Sequence, residues 1–237
     1  RVHPWTGIVE PQPSAGPFRD WNHRIAAESY APNAAARILD EQGRTRKVRN
    51  TYASINFDIG PTLLSWLERE RPVLLDGLRT ADRDSIARFG RGSAMAQPFH
   101  HPILPLCDDA DRETEVVWGL QAFERVYGRP AEGMWLSETA VDTPTLETIA
   151  AHGVHYIIVA PHQVEAVEWS PGEWTPVEGK DVVNRAFRIE LPSGKAVVVA
   201  VYDGVVSQAV AFEGLLHSGD RLAKRLDDAS HATGFVL

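Results

Sequence analysis

The sequence predicts an α/β fold in which parallel strands alternate with helices, and three observations carry that prediction. Short apolar runs with the character of buried strands recur at Ala53–Phe57, Ala94–Gln97, Gly133–Leu136, His155–Ala160 and Ala196–Tyr202. Most are separated by longer stretches with helical spacing, the order expected when helices cross over between parallel strands. The chain has 237 residues of which 43% are hydrophobic, enough to bury a sizeable core in one domain. A closed barrel and an open doubly wound sheet both fit this pattern. Neither G-x-G-x-x-G nor G-x-x-x-x-G-K-[ST] occurs, so the nucleotide-binding open sheet loses its main support. Residues 1–237 are read as a single domain. The start, Arg1-Val2-His3 without Met, and the end, Gly234-Phe235-Val236-Leu237, suggest an incomplete excerpt of a longer chain.

The elements follow in order. The first twenty residues are rich in Pro and Gly and read as an irregular loop. Asp20 is placed to cap a helix over Trp21–Tyr30 that Pro32 breaks, and a short helix fits Asn33–Asp40, ended near Gly43. The basic cluster Arg44, Arg46, Lys47 and Arg49 reads as a solvated loop. After the strand Ala53–Phe57, Pro61 opens a helix to about Glu70, and a second helix runs Pro72–Phe89 to a stop at Gly90. A strand follows at Ala94–Gln97. Ala110–Tyr127 is the clearest helix: Val116, Val117, Leu120, Phe123 and Val126 recur at three- and four-residue spacing, and Gly128 follows.

Gly133–Leu136 reads as a strand, Pro144–His152 as a helix capped by Thr143, and His155–Ala160 as a buried strand. Trp169–Gly179 is expected to be a loop. Phe187–Leu191 and Ala196–Tyr202 flank Pro192-Ser193-Gly194-Lys195, which reads as a β-hairpin. Helices are expected over Val205–Leu216 and Arg221–Ser230, and a strand from Thr233 to Leu237.

Composition narrows the function. A net charge of -8 makes nucleic acid and anionic membranes poor partners. No apolar stretch approaches the roughly 20 residues a membrane helix needs. The single cysteine, Cys107, excludes an intrachain disulfide and a Cys-rich zinc site, and its apolar neighbours suggest a small core residue. The reading places the protein in the cytoplasm.

Two acids stand where an apolar strand gives way to a loop, the place where α/β barrels build active sites. Glu138 follows Gly133-Met134-Trp135-Leu136-Ser137, and Asp203 follows Val197-Val198-Val199-Ala200-Val201-Tyr202 with Gly204 next. Cleavage of a glycosidic bond needs such a pair, one to attack or stabilise the sugar cation and one to protonate the leaving oxygen. The competing reading is that each acid merely caps the next helix. Asp142, just before Thr143-Pro144, fits a charge at a helix N-terminus better than a catalytic role. His100-His101, in a loop after a strand, are candidates for sugar hydroxyls or a metal, while His152 reads as a helix C-terminal residue. No H-E-x-x-H, paired C-x-x-C or G-x-S-x-G occurs.

The stretch Glu132-Gly133-Met134-Trp135-Leu136-Ser137-Glu138-Thr139-Ala140-Val141-Asp142 resembles glycoside hydrolase family 57. So do residues 17–25, residues 57–68 with Phe57-Asp58-Ile59-Gly60-Pro61, Ala96-Gln97-Pro98-Phe99-His100-His101, and Tyr202-Asp203-Gly204. The resemblance implies a distorted seven-stranded parallel β/α barrel and retaining chemistry on α-glucans, by an α-amylase or 4-α-glucanotransferase type of enzyme. It implies that Glu138 is the nucleophile and Asp203 the general acid/base, and that Trp135 and His101 line the substrate cleft. It implies an oligo- or polysaccharide partner and no cofactor or metal. Two other classes compete. A metal-dependent polysaccharide deacetylase uses a related barrel but needs an Asp and two closely placed His, where this chain offers only the H-x-x-H of His152 and His155. A glycan-binding domain without turnover has no need of both Glu138 and Asp203.

Overall fold

The computed structural model describes residues 8–230. It divides into two compact units, one formed by Arg1–His101 with Thr114–Ala131 and the other by Pro102–Glu113 with Glu132–Leu237. Each mixes strands and helices. The expected strand Thr233–Leu237 lies outside the described residues. No helix among those described is long and apolar enough to cross a membrane.

In the first unit Asp20 caps helix α1 (Trp21–Ile25): its carboxylate accepts the His23 N–H at 3.0 Å and contacts the His23 ring at 2.8 Å. The helical path does not break at Pro32. A π turn over Ala26–Tyr30 leads directly into α2 (Ala31–Ala34), where proline, lacking an N–H, sits in the first turn. The expected helix at Asn33–Asp40 is instead strand β1 (Ala36–Leu39), paired antiparallel with β2 (Thr45–Arg49). The turn between them decides this. Asp40 accepts the N–H groups of Gln42 and Arg44, and Gly43 takes φ 75°, so the glycine read as a helix stop completes a hairpin. The basic cluster therefore lies mostly on an exposed strand rather than in a loop.

Strand β3 (Phe57–Asp58) pairs parallel with β4 (Ala94–Met95) across two helices, α3 (Pro61–Glu70) and α4 (Pro72–Phe89). Both helices keep the bounds the sequence predicts, because proline starts each and Gly90, at φ 75°, stops the second. Leu64, Trp66, Leu67, Leu75 and Leu78 form their buried face. A buried ion pair locks β4 to this layer. Arg129 grips Asp82 with two hydrogen bonds of 2.8 Å, and Asp82 also accepts the Ala94 N–H. Helix α5 (Asp109–Tyr127) supplies the remaining aromatic core through Phe123 and Tyr127.

The second unit is built on a four-stranded sheet of order β5-β6-β10-β9. Strands β5 (Gly133–Met134) and β6 (Tyr156–Val159) are parallel, joined by α6 (Thr143–Ala151). Asp142, not Thr143, caps α6, accepting the Thr145 N–H at 2.9 Å. The expected loop at Trp169–Gly179 is in fact a hairpin, β7 (Ala166–Ser170) with β8 (Glu173–Pro176), followed by the short helix α7 (Gly179–Val182). Glu168 and Trp174 pair across it and a bulge interrupts its register, so its alternation is hard to see in the sequence. Strands β9 (Arg185–Glu190) and β10 (Ala196–Val201) form the predicted hairpin, with β10 parallel to β6. Helices α8 (Gly204–Phe212) and α9 (Gly219–Ser230) follow.

Ile157, Val159, Val197, Val199 and Val201 are buried, and Ile149 of α6 is fully buried with them. Gly133 is required by packing: a Cβ there would stand 2.2 Å from the Tyr156 ring. Strands β4 and β5 are two residues long, shorter than predicted, and the strand expected at Ala53–Phe57 is displaced: Thr51–Ala53 form a 3-10 turn and β3 is confined to Phe57–Asp58. The parallel strands of the described residues lie in two separate ladders.

Candidate active site

The chain leaves β5 through Trp135, half-buried, and through Leu136 and Ser137, both buried. It then enters the left-handed region twice in succession, at Glu138 (φ 57°) and Thr139 (φ 53°). Such a conformation is uncommon for any residue with a Cβ and more so for β-branched threonine, at a cost of about 1–3 kcal/mol each. A one-turn 3-10 helix over Ser137–Thr139 holds it, with the Thr139 N–H on the Leu136 carbonyl at 3.0 Å and the Ala140 N–H on the Ser137 carbonyl at 3.1 Å. The twist throws Glu138 outward. Its carboxylate is exposed and makes no hydrogen bond or ion pair among the described residues.

Asp203 is held in the opposite way. Its backbone is relaxed, at φ -80° and ψ 100°, and its carboxylate is engaged. One oxygen caps α8, accepting the N–H groups of Val205 and Val206 at 2.9 and 3.0 Å. The other faces the Asn184 amide at 3.4 Å. The capping role weighed against catalysis is therefore real for Asp203 and absent for Glu138. Asp203 also lines a cavity of about 660 Å3, together with His162, Lys180, Tyr202, Arg225 and Asp228.

The sheet register relates the two acids. Met134 pairs with Ile157, and Ile157 pairs with Val199, so the three residues form one row across parallel strands. Glu138 stands four residues beyond Met134, and Asp203 four residues beyond Val199. Strands β5 and β10 are both parallel to β6 and end at the same carboxyl edge of the sheet, with β6 between them; Glu138 follows β5 by four residues and Asp203 follows β10 by two. Neighbouring strands lie about 4.8 Å apart, which sets β5 and β10 about 10 Å apart where both pair with β6.

The first unit carries His101, exposed and itself left-handed at φ 60°. Its neighbour His100 is committed elsewhere, its ring bound to Glu115 at 2.6 Å and its N–H to the same carboxylate at 2.7 Å. Nearby in this unit is Asp58 at the end of β3, a carboxyl group to which the sequence assigned no role. Gln97 donates to it. Burial pushes its pKa above the ordinary carboxylate value, and the Gln97 hydrogen bond and the His101 charge only partly offset this. His152 lies at the C-terminus of α6 as expected, its ring 2.6 Å from Glu113. Cys107, expected in the core, is half-buried, its thiol 3.8 Å from the Ile103 carbonyl.

Sequence reasoning missed Asn184, a buried residue at φ 56° whose amide touches Asp203. A lone Asn before a strand gives little signal, although Asn tolerates the left-handed region better than most residues. Asp58 was more accessible to inference, since Asp58-Ile59-Gly60 repeats the strand-end acid and glycine of Asp203-Gly204. Among the described residues, the four non-glycine positions with positive φ are His101, Glu138, Thr139 and Asn184. Two of them are candidate site residues, one adjoins Glu138 and one touches Asp203. Local strain of this kind concentrates at functional sites.

A family profile described as glycosyl hydrolase family 57 matches residues 18–231. An α-amylase from Pyrococcus horikoshii is 29% identical over 101 residues, which are 43% of this chain and 15% of that protein. Among solved structures, an exo-type maltose-forming amylase from Pyrococcus sp. ST04 aligns with a TM-score of 0.62 at 15% identity, covering 93% of this chain and 32% of that one. A 4-α-glucanotransferase from Thermococcus litoralis aligns with a TM-score of 0.54 at 17% identity, covering 77% of this chain and 31% of that one. At these identities the structural likeness shows a common fold, and the chain spans no more than about a third of the length of these relatives.

Proposed function

The chain belongs to glycosyl hydrolase family 57, and from that premise we propose that it carries the catalytic carboxylates of a retaining glycoside hydrolase or transglycosylase acting on α-glucans. The observation that supports this reading best is the topology: Glu138 and Asp203 follow strands that end at the same edge of one sheet. The amylase and glucanotransferase relatives supply the substrate class. The same reading carries a distorted seven-stranded parallel β/α barrel.

The mechanism is double displacement. The Glu138 carboxylate attacks the anomeric carbon as the glycosidic C–O bond breaks, and Asp203 gives its proton to the leaving oxygen. A glycosyl ester on Glu138 results. Asp203, now ionised, takes a proton from water or from a sugar hydroxyl, whose oxygen displaces Glu138 and restores both groups. Hydrolysis and glucan transfer share every step except the identity of that acceptor. An unpaired, exposed carboxylate suits the attacking role, because it has no hydrogen bond to break before it bonds to carbon. A carboxylate held by two backbone N–H groups and an amide suits the group that must keep its orientation through two proton transfers. Trp135 offers an aromatic face for a sugar ring.

The test is an assay of the full-length protein on amylose, malto-oligosaccharides and other α-glycosides, reading the anomeric configuration of the first-formed product. Retention is expected, and inversion would exclude a glycosyl ester on Glu138. Glu138→Gln should fold and bind glycan but lose turnover, and wild-type turnover in that variant would remove the assignment. Trp135→Ala should weaken oligosaccharide binding by about 1–3 kcal/mol, the range of a desolvated aromatic contact. Unchanged affinity would assign Trp135 to packing alone.

A further inference from the structure

Among the described residues, one side chain of the neighbouring loop, that of Gln163, hydrogen-bonds to the loop that presents Glu138. The Glu138 carboxylate has no partner of its own among the described residues, so its position depends on the backbone beneath it. That backbone is left-handed at two consecutive residues with Cβ atoms. Three hydrogen bonds brace it from within: those from the Thr139 and Ala140 N–H groups, and one from the Thr139 hydroxyl to the Glu138 carbonyl at 2.7 Å. These join residues 136–140 to each other and would move with the segment. The bond that ties it to another element comes from Gln163, whose side-chain N–H donates to the Thr139 carbonyl at 2.9 Å.

Gln163 is itself oriented. Its side-chain oxygen accepts the Ala160 N–H at 2.8 Å, and its own backbone N–H closes a turn onto the Ala160 carbonyl at 3.0 Å. Rotating the amide by half a turn would set donor against donor at Ala160 and acceptor against acceptor at Thr139, so the hydrogen-bond pattern permits one orientation. Ala160 follows β6 and Thr139 follows β5, the adjacent parallel strand. The β5–β6 ladder ends at the Met134–Ile157 pair, and the Gln163 amide acts as one further rung beyond it.

We propose that Gln163 is a positioning residue for Glu138: by clamping the Thr139 carbonyl to the loop after β6, it holds the left-handed turn that aims the attacking carboxylate. The proposal rests on the nucleophilic role given to Glu138 above. Gln163 touches a backbone carbonyl and not the reacting atoms. Its effect belongs to the step in which Glu138 bonds to carbon, not to substrate binding.

The experiment compares Gln163→Met, which lacks both amide groups, and Gln163→Glu, which keeps an acceptor for Ala160 but loses the donor to Thr139 when ionised. Both are made in the full-length protein and assayed with an activated aryl α-glycoside. Loss of the clamp should lower kcat by about 10²-fold, the effect of roughly 1 Å of misplacement. KM should stay within about twofold and Tm should change little, since the bond removed lies in a loop.

A second arm separates positioning from general loosening. In Glu138→Ala, azide can attack the anomeric carbon in place of the missing carboxylate while Asp203 protonates the leaving oxygen, giving an inverted glycosyl azide. Adding Gln163→Met to Glu138→Ala should leave this azide-dependent rate within about twofold, because no carboxylate remains to aim. A kcat near wild type in both Gln163 variants would overturn the proposal. So would an azide-dependent rate that falls as far as kcat does. Turnover by Glu138→Ala without azide would remove the nucleophile assignment itself, a result distinct from failure of the Gln163 arms alone.

Discussion

The ends of β5 and β10 hold their acids by opposite means. After β5 the backbone is strained and the carboxylate free, whereas after β10 the backbone is relaxed and the carboxylate bound on both oxygens. At Glu138 the precision lies in the main chain and its clamp, and at Asp203 it lies in the side chain's own hydrogen bonds. An attacking group must be free to form a new bond to carbon, while a proton carrier must return to the same place after each transfer. Under the roles proposed above, the two solutions match those two demands.

The largest expected effect breaks the comparison on the Asp203 side. Asn is as good a helix cap as Asp, so Asp203→Asn should keep α8 and its thermal stability while turnover falls by several orders of magnitude. Asp203→Ala should lose turnover and, in addition, about 1 kcal/mol of stability as the cap disappears. Calorimetry beside the rate assay checks both. If the two variants are equally stable, the cap seen at Val205 and Val206 carries no weight.

A smaller effect of opposite sign is expected after β5. Glu138→Gly places the residue that adopts positive φ without penalty at a position that requires it, so the inactive variant should be more stable by up to about 1 kcal/mol. A fall in Tm would mean that the left-handed turn is not a source of strain.

Asp58 sharpens the comparison as a third strand-end carboxyl group, held by burial. Its folded-state pKa is raised, so the fold favours the protonated form. The associated stability is fully present below the unfolded pKa and is lost as pH rises through the folded one. Asp58→Asn supplies a neutral group that still accepts the Gln97 hydrogen bond. Its Tm should exceed that of the wild type at pH 7, and the difference should shrink as pH falls through the raised folded pKa and be gone below the ordinary value of 3.8. A variant less stable than wild type at pH 7 would show that the ionised group is welcome at that position.

Much of this architecture was legible in the residues because local chemistry determines it. Pro61 and Pro72 start helices, Gly90 stops one, Asp20 caps another, and Pro192-Ser193-Gly194 turns a hairpin. Reading failed where a turn chose between two patterns. Gly43 fits a helix stop as well as a hairpin, and the decision rests on Asp40 accepting two N–H groups across the turn. The Trp169–Trp174 hairpin was hidden by its bulge and its exposed, mixed composition. The two carboxylates were visible as strand-end acids, but their supports were not. Gln163 and Asn184 act through partners 24 and 19 positions away, and neither Glu nor Thr announces a left-handed backbone.

The double left-handed turn at Glu138 and Thr139 also bears on how such a protein would change over generations. Glycine or asparagine at position 138 suits the turn better than glutamate does, so under the present reading a lineage released from selection for chemistry gains robustness by its first step into inactivity. Loss of function would then be self-reinforcing, because restoring glutamate means accepting the strain again. Descendants that keep the fold as sugar binders or as regulatory partners should be recognisable by a small or amide residue there, with the Asp203 cap intact.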